Sequence, residues 1–306
     1  MLQTWKFGRV LRVGLLIVLG LCWSAAVVWA QPNLSAGIAQ PQPNTGKVSI
    51  GAGFDIPTAY YFRGILQEDE GFIAQPYGEL GFNLYESEGA FSSATLALGI
   101  WNSFHTGDTG TGGDTAEDPR AWYESDLYAK VGFGFLQKFS AEVAYIVYTS
   151  PNGSFSDVQE LDFSFSLDDS EWLGDFALNP SMTLAVELDG QADGGSGEGV
   201  YLQLGVEPSF QITKDETYPL TLSVPLTLGL SLSDYYEDPD TGDDDTFGYF
   251  DAGVALSMPL GFMPAAYGSW DIYAAVHFLF LGEATEAINN GDSFKAYGMF
   301  GVSMSF

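Results

Sequence analysis

The sequence is poor in basic residues, cysteine and histidine. Its 306 residues include 10 Lys and Arg against 40 Asp and Glu, which gives a formal charge of −30 at pH 7. Such acidity argues against nucleic acid as a partner, because sequence-independent binding needs basic residues facing phosphates. The one Cys excludes a disulfide framework and a thiolate metal cluster. The two His leave little room for zinc or acid–base constellations. We therefore predict no cofactor.

Helical periodicity is also missing, since no stretch of ten residues after position 47 fits an amphipathic helix template. The chain does contain 46% hydrophobic residues, 15% aromatic residues and 37 Gly. These values are too apolar for a disordered acidic chain. They favour an aromatic, Gly-rich β protein.

The first thirty residues have the layout of an export signal. Lys6, Arg9 and Arg12 precede an apolar run over residues 13–28, and Val28-Trp29-Ala30 supplies the small residues of a signal-peptidase site. We predict that residues 1–30 are a cleaved signal peptide and that residues 31–46 are a flexible leader. A membrane anchor is the alternative, but the run is short and lacks a basic stop-transfer cluster. Cleavage would change the formal charge to −33.

From Lys47 onward the hydrophobic period is two, and residues 220–232 show it best. Small or polar side chains there alternate with a one-sided apolar series: Leu220, Leu222, Val224, Leu226, Leu228, Leu230 and Leu232. A strand between lipid and a wet interior requires this pattern.

Twelve such segments can be delimited. Their spans are 47–62, 73–85, 91–104, 122–135, 139–150, 158–167, 180–189, 199–207, 218–233, 247–258, 270–281 and 294–306. We predict an all-β fold, a transmembrane antiparallel up-and-down β-barrel over residues 47–306, with ten or fourteen strands as alternatives to twelve. A soluble β-sandwich or lectin-like barrel is the other alternative, but its outward face would be polar.

The connections after every second strand are rich in Gly and polar residues and are mostly acidic. They would face outside if the termini are periplasmic. These are residues 105–121, 151–157, 190–198, 234–246 and 282–293. One of them loosely resembles a calcium loop without its bidentate Glu, which makes four carboxylates weak Ca²⁺ candidates: Asp238, Asp240, Asp243 and Asp245.

The last strand alternates apolar positions from Phe294 to a final Phe306. This ending resembles the C-terminal signal of outer-membrane proteins, which their assembly machinery reads. We therefore predict export to the cell outer membrane, with the outer-membrane lipid and the barrel-assembly machinery as partners.

The alternation of inward and outward positions along each strand (its parity) assigns a mostly acidic set of side chains to the lumen. The set is Lys47, Asp55, Arg63, Glu79, Asp126, Lys130, Glu142, Asp162, Glu187, Asp251, Asp271 and Lys295. Such a wall favours passive diffusion of cations or small polar solutes through a porin-like channel. The alternative is a non-conducting barrel whose charges pair across the lumen and whose acidic loops bind or scaffold a partner. We predict no enzymatic activity. A hydrolase needs a nucleophile with a partnered base, whereas His105 begins a Gly/Thr/Asp loop and His277 is a lone inward imidazole.

Residues 60–69 carry a family resemblance. Tyr60, Phe62, Arg63, Gly64, Gln67 and Asp69 match the pattern Y-x-F-R-G-x-S-Q-x-D near the start of the TorF-like porins, while Leu66 stands where that family usually has Ser or Thr. The resemblance implies an outer-membrane porin-like barrel and names neither a substrate nor a catalytic residue. From parity alone, we expect Arg63 to hold the first loop by pairing with an inward carboxylate such as Glu79. The alternative is an ordinary surface Arg.

Overall fold

The computed structural model describes residues 46–107, 121–213 and 218–306. The predicted signal peptide, the leader up to residue 45 and most of the acidic loop at 105–121 lie outside the described residues. No helix in the described ranges is long and apolar enough to cross a membrane.

Strands dominate the described chain, and the helices are short. The helices are α1 (Ser170–Leu173) and α2 (Glu283–Ile288), with 3-10 turns at Gly174–Phe176 and Ala265–Tyr267. The strands are β1 (Val48–Pro57), β2 (Tyr60–Phe62), β3 (Ile65–Glu68), β4 (Ile73–Glu86), β5 (Phe91–His105), β6 (Trp122–Phe135), β7 (Phe139–Thr149), β8 (Val158–Leu167), β9 (Ser181–Asp189), β10 (Val200–Val206), β11 (Ser209–Gln211), β12 (Thr221–Ser223), β13 (Leu226–Ser233), β14 (Phe247–Pro259), β15 (Ser269–Leu281) and β16 (Phe294–Ser305).

The main sheet closes on itself, because β1 pairs antiparallel with both β4 and β16. All its other neighbours are antiparallel as well, and β14 pairs with β15 to complete the ring. The pieces β10 and β11 make one crossing, as do β12 and β13, so the barrel has twelve strands. The predicted fold and strand count are confirmed.

Prolines cause the two interruptions. Pro208 and Pro225 have no N–H to donate to the ladder. The register nevertheless continues across the gaps, since Val224 N donates to Pro208 O at 2.9 Å and Gly253 N to Pro225 O at 2.8 Å. The inward parity of Thr221 and Ser231 is therefore preserved, and both are buried.

The outer face of the barrel is an apolar belt. Leu98, Val254 and Val276 project from it and are each about half exposed, as lipid-facing side chains are. Aromatic pairs border the belt at both edges: Phe104 with Trp122 and Phe280 with Phe294 at one edge, and Tyr85 with Phe91 at the other. Such girdles mark the two membrane–water interfaces, so the barrel is a transmembrane one.

A charge in the middle of this belt should be costly. Val276, which lies opposite Val254 halfway along β15, is the test position. We expect Val276→Arg to lower the free energy of unfolding by about 2–4 kcal/mol, and Val48→Arg at the edge by about 0–1 kcal/mol. Urea unfolding in lipid vesicles measures both values. Equal, small effects would indicate that this face does not contact lipid.

The two ends of the barrel differ. One end carries the connections 58–72, 150–157, 190–199, 234–246 and 282–293 and is called the loop end here. The other, called the terminal end, carries the start of β1, the end of β16 and the turns at 87–90 and 136–138. The first strand was predicted to extend to residue 62, but β1 ends at Pro57. The residues after it form a separate two-stranded sheet, β2 with β3.

Candidate functional site

A hairpin from the first connection enters the barrel at its loop end. It consists of β2, β3 and the turn Arg63–Gly64, whose φ angles are 46° and 86°. Glycine is needed at the second turn position for two reasons. The positive φ disfavours other residues, and a Cβ on Gly64 would lie 3.0 Å from Tyr249 Cδ1. Residues 59–66 are all buried, although they belong to a connection.

On one side the hairpin contacts β6 and β7. Tyr60 Oη donates to Glu124 Oε2 at 2.9 Å. The ring of Phe62 meets that of Tyr148 edge to face, with centroids 5.4 Å apart. Both wall residues point into the lumen from adjacent strands, so this half of the hairpin lies against the inner wall.

On the other side the hairpin contacts β16 and the residue after α2. The rings of Tyr61 and Tyr297 lie 5.5 Å apart. Asn289 Nδ2 donates to Gly64 O and Asn289 Oδ1 accepts from Leu66 N, both at 2.7 Å. The hairpin thus touches opposite walls and crosses the lumen. We call residues 59–68, together with Tyr235 and Tyr236 from connection 234–246, the septum.

Arg63 makes the strongest contacts of the septum. Its Nη1 and Nη2 donate to Glu160 Oε1 and Oε2 at 2.6 and 2.8 Å, and Nη1 also donates to Tyr235 Oη at 2.5 Å. The guanidinium lies 4.4 Å from the ring centroid of Tyr201 and 5.2 Å from that of Tyr235. Asp162 Oδ2 is 3.8 Å from Nη2. We call Glu160, Asp162, Tyr201 and Tyr235 the Arg63 pocket.

Arg63 is charged in this pocket. Burial acts to lower its pKa, but the carboxylate of Glu160 and then the neighbouring Tyr235, Tyr148 and Asp162 outweigh burial and raise the pKa above its ordinary value. A bidentate, charge-assisted pair of this kind fixes position as well as adding energy.

The expectation that Arg63 pairs with an inward carboxylate is right, but the partner Glu79 is wrong. The hairpin turns away from β1 and carries Arg63 across to Glu160 on β8. Glu79 instead lies 2.8 Å from Lys130 Nζ. Glu160 was missing from the predicted set, although it lies two residues before Asp162 and so has the same inward parity.

A second polar cluster lies nearer the terminal end. Lys130 Nζ is 2.8 Å from Glu79 Oε2 and 3.9 Å from Glu142 Oε2. Tyr128 Oη donates to Glu79 Oε2 at 3.1 Å. The side chains of Glu79 and Glu142 are 11% and 12% exposed, whereas those of Arg63 and Glu160 are 0% exposed. The lumen is therefore packed within the septum and less tightly packed at the Lys130 cluster.

The other predicted lumen residues are dispersed. Glu187 accepts from Ala192 N and Gly199 N at 2.7 and 2.6 Å and so holds the base of connection 190–199. Asp251 Oδ2 is 2.7 Å from His277 Nδ1. Lys295 pairs at the loop end with Asp292, at 2.7 Å.

Three further predicted residues lie away from both clusters. Lys47 is exposed just before β1, and Asp271 is half-buried near the terminal end of β15. Asp55 is buried and accepts from Tyr273 Oη. Of the predicted wall, the structure brings together only Glu79, Lys130 and Glu142 in one cluster and Arg63 with Asp162 in the other. Asp126 is buried on β6, two residues from Glu124.

The four Ca²⁺ candidates do not converge. The backbone N–H groups of Thr241 and Asp240 donate to Asp238, which holds the pKa of that carboxyl below its ordinary value. Asp245 Oδ2 accepts from Ala284 N at 2.9 Å. In the described ranges no group of three or more His, Cys, Asp or Glu side chains is arranged to hold a metal ion. Asp240 and Asp243 are exposed on the same connection.

One contact at the edge of the septum has the residue types of a nucleophile and base. Ser103 Oγ lies 2.7 Å from His105 Nε2, and Glu68 Oε2 of the hairpin lies 4.0 Å from His105 Nδ1. The distance to Glu68 is too long for a hydrogen bond. Ser103 is fully buried, and Tyr123 stacks on the His105 ring at 4.4 Å. His105 thus has a neighbouring hydroxyl, but the site is closed to substrates in this conformation.

No family model matches the sequence, and no curated protein matches it. The resemblance to the TorF-like porins therefore stays a prediction. Solved structures with which the chain can be superposed include LpxR from Salmonella typhimurium (TM-score 0.45, 8% identity, covering 84% of this chain and 99% of that one). A COG4313 outer membrane channel from Pseudomonas putida F1 gives a TM-score of 0.44 at 13% identity, over 88% of this chain and all of the other. The NanC porin gives 0.37 at 12% identity, over 84% and 98%. These values assign the chain to none of their activities.

Proposed function

We propose that the protein is an outer-membrane channel for cations or small polar solutes, and that the septum is its closed gate. The loop end faces the outside and the terminal end faces the periplasm, as in bacterial outer-membrane barrels. The apolar belt and the aromatic girdles support a membrane location.

The main support for this proposal is that polar side-chain contacts hold the hairpin to the barrel wall. The hairpin contributes no strand to the barrel ladder and is held to the wall largely by side-chain contacts, such as Arg63–Glu160 and Tyr60–Glu124. A permanent plug gains little from buried ion pairs, since apolar residues of similar volume are often as stabilising. Polar contacts can be exchanged for water and ions, which suits an element that leaves its position.

The charge of the wall supports cation preference. Glu79 and Glu142 flank the single Lys130 below the septum, and Glu124, Asp126, Glu160 and Asp162 line the wall within it. A narrow lumen with such an excess of carboxylates concentrates cations and repels anions. Release of the hairpin would expose the carboxylates within the septum to the pathway.

The packed septum is also what a non-conducting barrel with a binding or scaffolding role would have. Planar-bilayer recording in a KCl gradient separates the two functions, with heat-modifiable gel mobility as the check that the barrel is folded. We expect a channel that is closed most of the time, with openings whose reversal potential indicates K⁺ over Cl⁻. Anion selectivity would overturn the charge argument. Silence in both the folded protein and a hairpin-less variant would favour the non-conducting barrel.

A further inference from the structure

We propose that the Arg63 pocket is a binding site for solutes with a guanidinium or amidinium group, and that such a solute displaces Arg63 and releases the septum. The inference rests on the proposed channel function for its consequence but not for the binding itself. It assigns a ligand class to a part of the wall that the chain's own hairpin occupies.

The pocket is complementary to a planar, forked cation. Glu160 presents both carboxylate oxygens to two N–H groups at 2.6 and 2.8 Å, and Tyr235 Oη accepts a further N–H at 2.5 Å. Tyr201 lies against the guanidinium at 4.4 Å from its ring centroid. A guanidinium can donate to both carboxylate oxygens and stack on the aromatic ring at the same time. An ammonium or an alkali cation acts as a point charge and matches neither the pair of oxygens nor the ring.

Arg63 does not use everything that the pocket offers. Asp162 is fully buried, yet neither of its side-chain oxygens accepts a hydrogen bond from any described residue. It stays 3.8 Å from Nη2, and Arg63 Nε likewise has no acceptor in the described part of the chain. A carboxylate that is buried without a hydrogen bond is costly. A free ligand, which no backbone holds in place, can donate to Glu160 and Asp162 together.

The backbone also makes Arg63 a displaceable occupant. Its φ of 46° lies in the left-handed region, which costs a non-Gly residue free energy that docking must supply. A solute pays no such cost.

The pocket lies next to the second polar cluster. In the ladder Asp162 is the register partner of Ala144, and Ala144 is that of Lys130. Asp162 is therefore nearer the terminal end than Glu160, and a cation that enters from that end would meet the Asp162 carboxylate first. Because Arg63 is tethered, a competitor must overcome an effective concentration of about millimolar or above.

The test uses Arg63→Ala in the full chain, with methylguanidinium as the probe. We expect about 1–10 mM methylguanidinium to raise the melting temperature of R63A, while equal concentrations of KCl or methylammonium do not. The double variant R63A/E160Q, which lacks the fork, should lose this shift. Should R63A fail to fold, R63K replaces it, since a lysine keeps the charge without the fork. No shift in the folded variant, or an equal shift with methylammonium, would overturn the assignment.

Conductance then tests the consequence. With the wild-type protein in a bilayer, millimolar methylguanidinium should raise the open probability several-fold. Lys138→Ala, which removes a partly exposed base at the terminal end, should respond like the wild type. A thermal shift in R63A together with a wild-type channel that does not open would leave the binding site standing and overturn its role in gating. A shift without any current, even from R63A in KCl, would overturn the channel function alone.

Discussion

Replacing residues 59–70 with a short Gly/Ser linker should open the barrel and raise its conductance in KCl about tenfold or more. The hairpin crosses the lumen from Glu124 to Tyr297, so its removal takes away the element that touches both walls. Tyr235 and Tyr236 lose their hydrogen bonds to the hairpin, because Tyr235 Oη accepts from Arg63 Nη1 and Tyr236 Oη donates to Arg63 O at 2.9 Å. They keep their ring contacts with Tyr201, so what remains of the septum lies against the wall at β10.

The barrel itself should survive this deletion. β2 and β3 pair only with each other among the described strands, whereas β1 keeps its ladders to β4 and β16. The ends to be joined are close, since Asp55 is the register partner of Gln75. A linker of about four to six residues is the ordinary length for such a connection. Heat-modifiable mobility should therefore be unchanged.

A matched control is the tip of the connection 234–246. Residues 239–243 are exposed and lie outside the septum, so replacing them with two glycines should leave the conductance at the wild-type value. An opened channel in the control, or a closed one in the folded hairpin deletion, would show that the septum is not the gate.

The barrel could be read from the sequence because each crossing has one face in lipid. At residues 220–232 the leucines keep that parity even through Pro225, where the ladder is interrupted but the register is not. In β8 the outward apolar series begins only at Leu161, because Val158 has the inward parity of Glu160 and is buried in the cluster that contains Tyr148.

The hairpin could not be read in the same way. Tyr60, Tyr61, Phe62, Ile65 and Leu66 are buried on both faces, so the segment shows a continuous apolar run without alternation. Such a run looks like an extension of the preceding strand. Only Arg63-Gly64 interrupts it, and the positive φ values at both positions are what turn the chain into the lumen. The partner Glu160 depends on a sequence separation of 97 residues, which no local pattern encodes.

Those long-range partners give the inner wall two different electrostatic zones. Below the septum Lys130 compensates Glu79 and Glu142 in a partly exposed cluster, where water screens the charges. Within the septum Arg63 alone faces Glu160 and Asp162, both fully buried. Removing one charge should therefore have a small effect in the first zone and a large one in the second.

Glu160→Ala should accordingly destabilise the protein strongly. It leaves the Arg63 guanidinium buried beside Asp162 at 3.8 Å without its bidentate acceptor, and breaking a buried pair from one side costs about 3–5 kcal/mol. Urea unfolding in lipid vesicles measures the loss, and limited proteolysis of residues 59–70 shows whether the hairpin has left the lumen. Glu171→Ala, which breaks the exposed pair with Lys138, is the control and should change the free energy by about 0–1 kcal/mol.

The double variant Arg63→Met/Glu160→Met tests whether the buried ion pair stabilises the closed state or serves the release of the septum. Both charges of the bidentate pair are replaced by apolar side chains, and the carboxylate that remains beside them, Asp162, makes no hydrogen bond to Arg63 in the wild type. The double variant should therefore recover at least half of the stability that Glu160→Ala loses. Its hairpin should then resist protease as in the wild type, while methylguanidinium has no fork left to bind. A stable, closed and unresponsive double variant would mean that the ion pair serves release of the septum rather than its stability. If the double variant is instead as unstable as Glu160→Ala, the pair is a structural requirement of the closed state, and the proposal that the septum is built to be displaced loses its support.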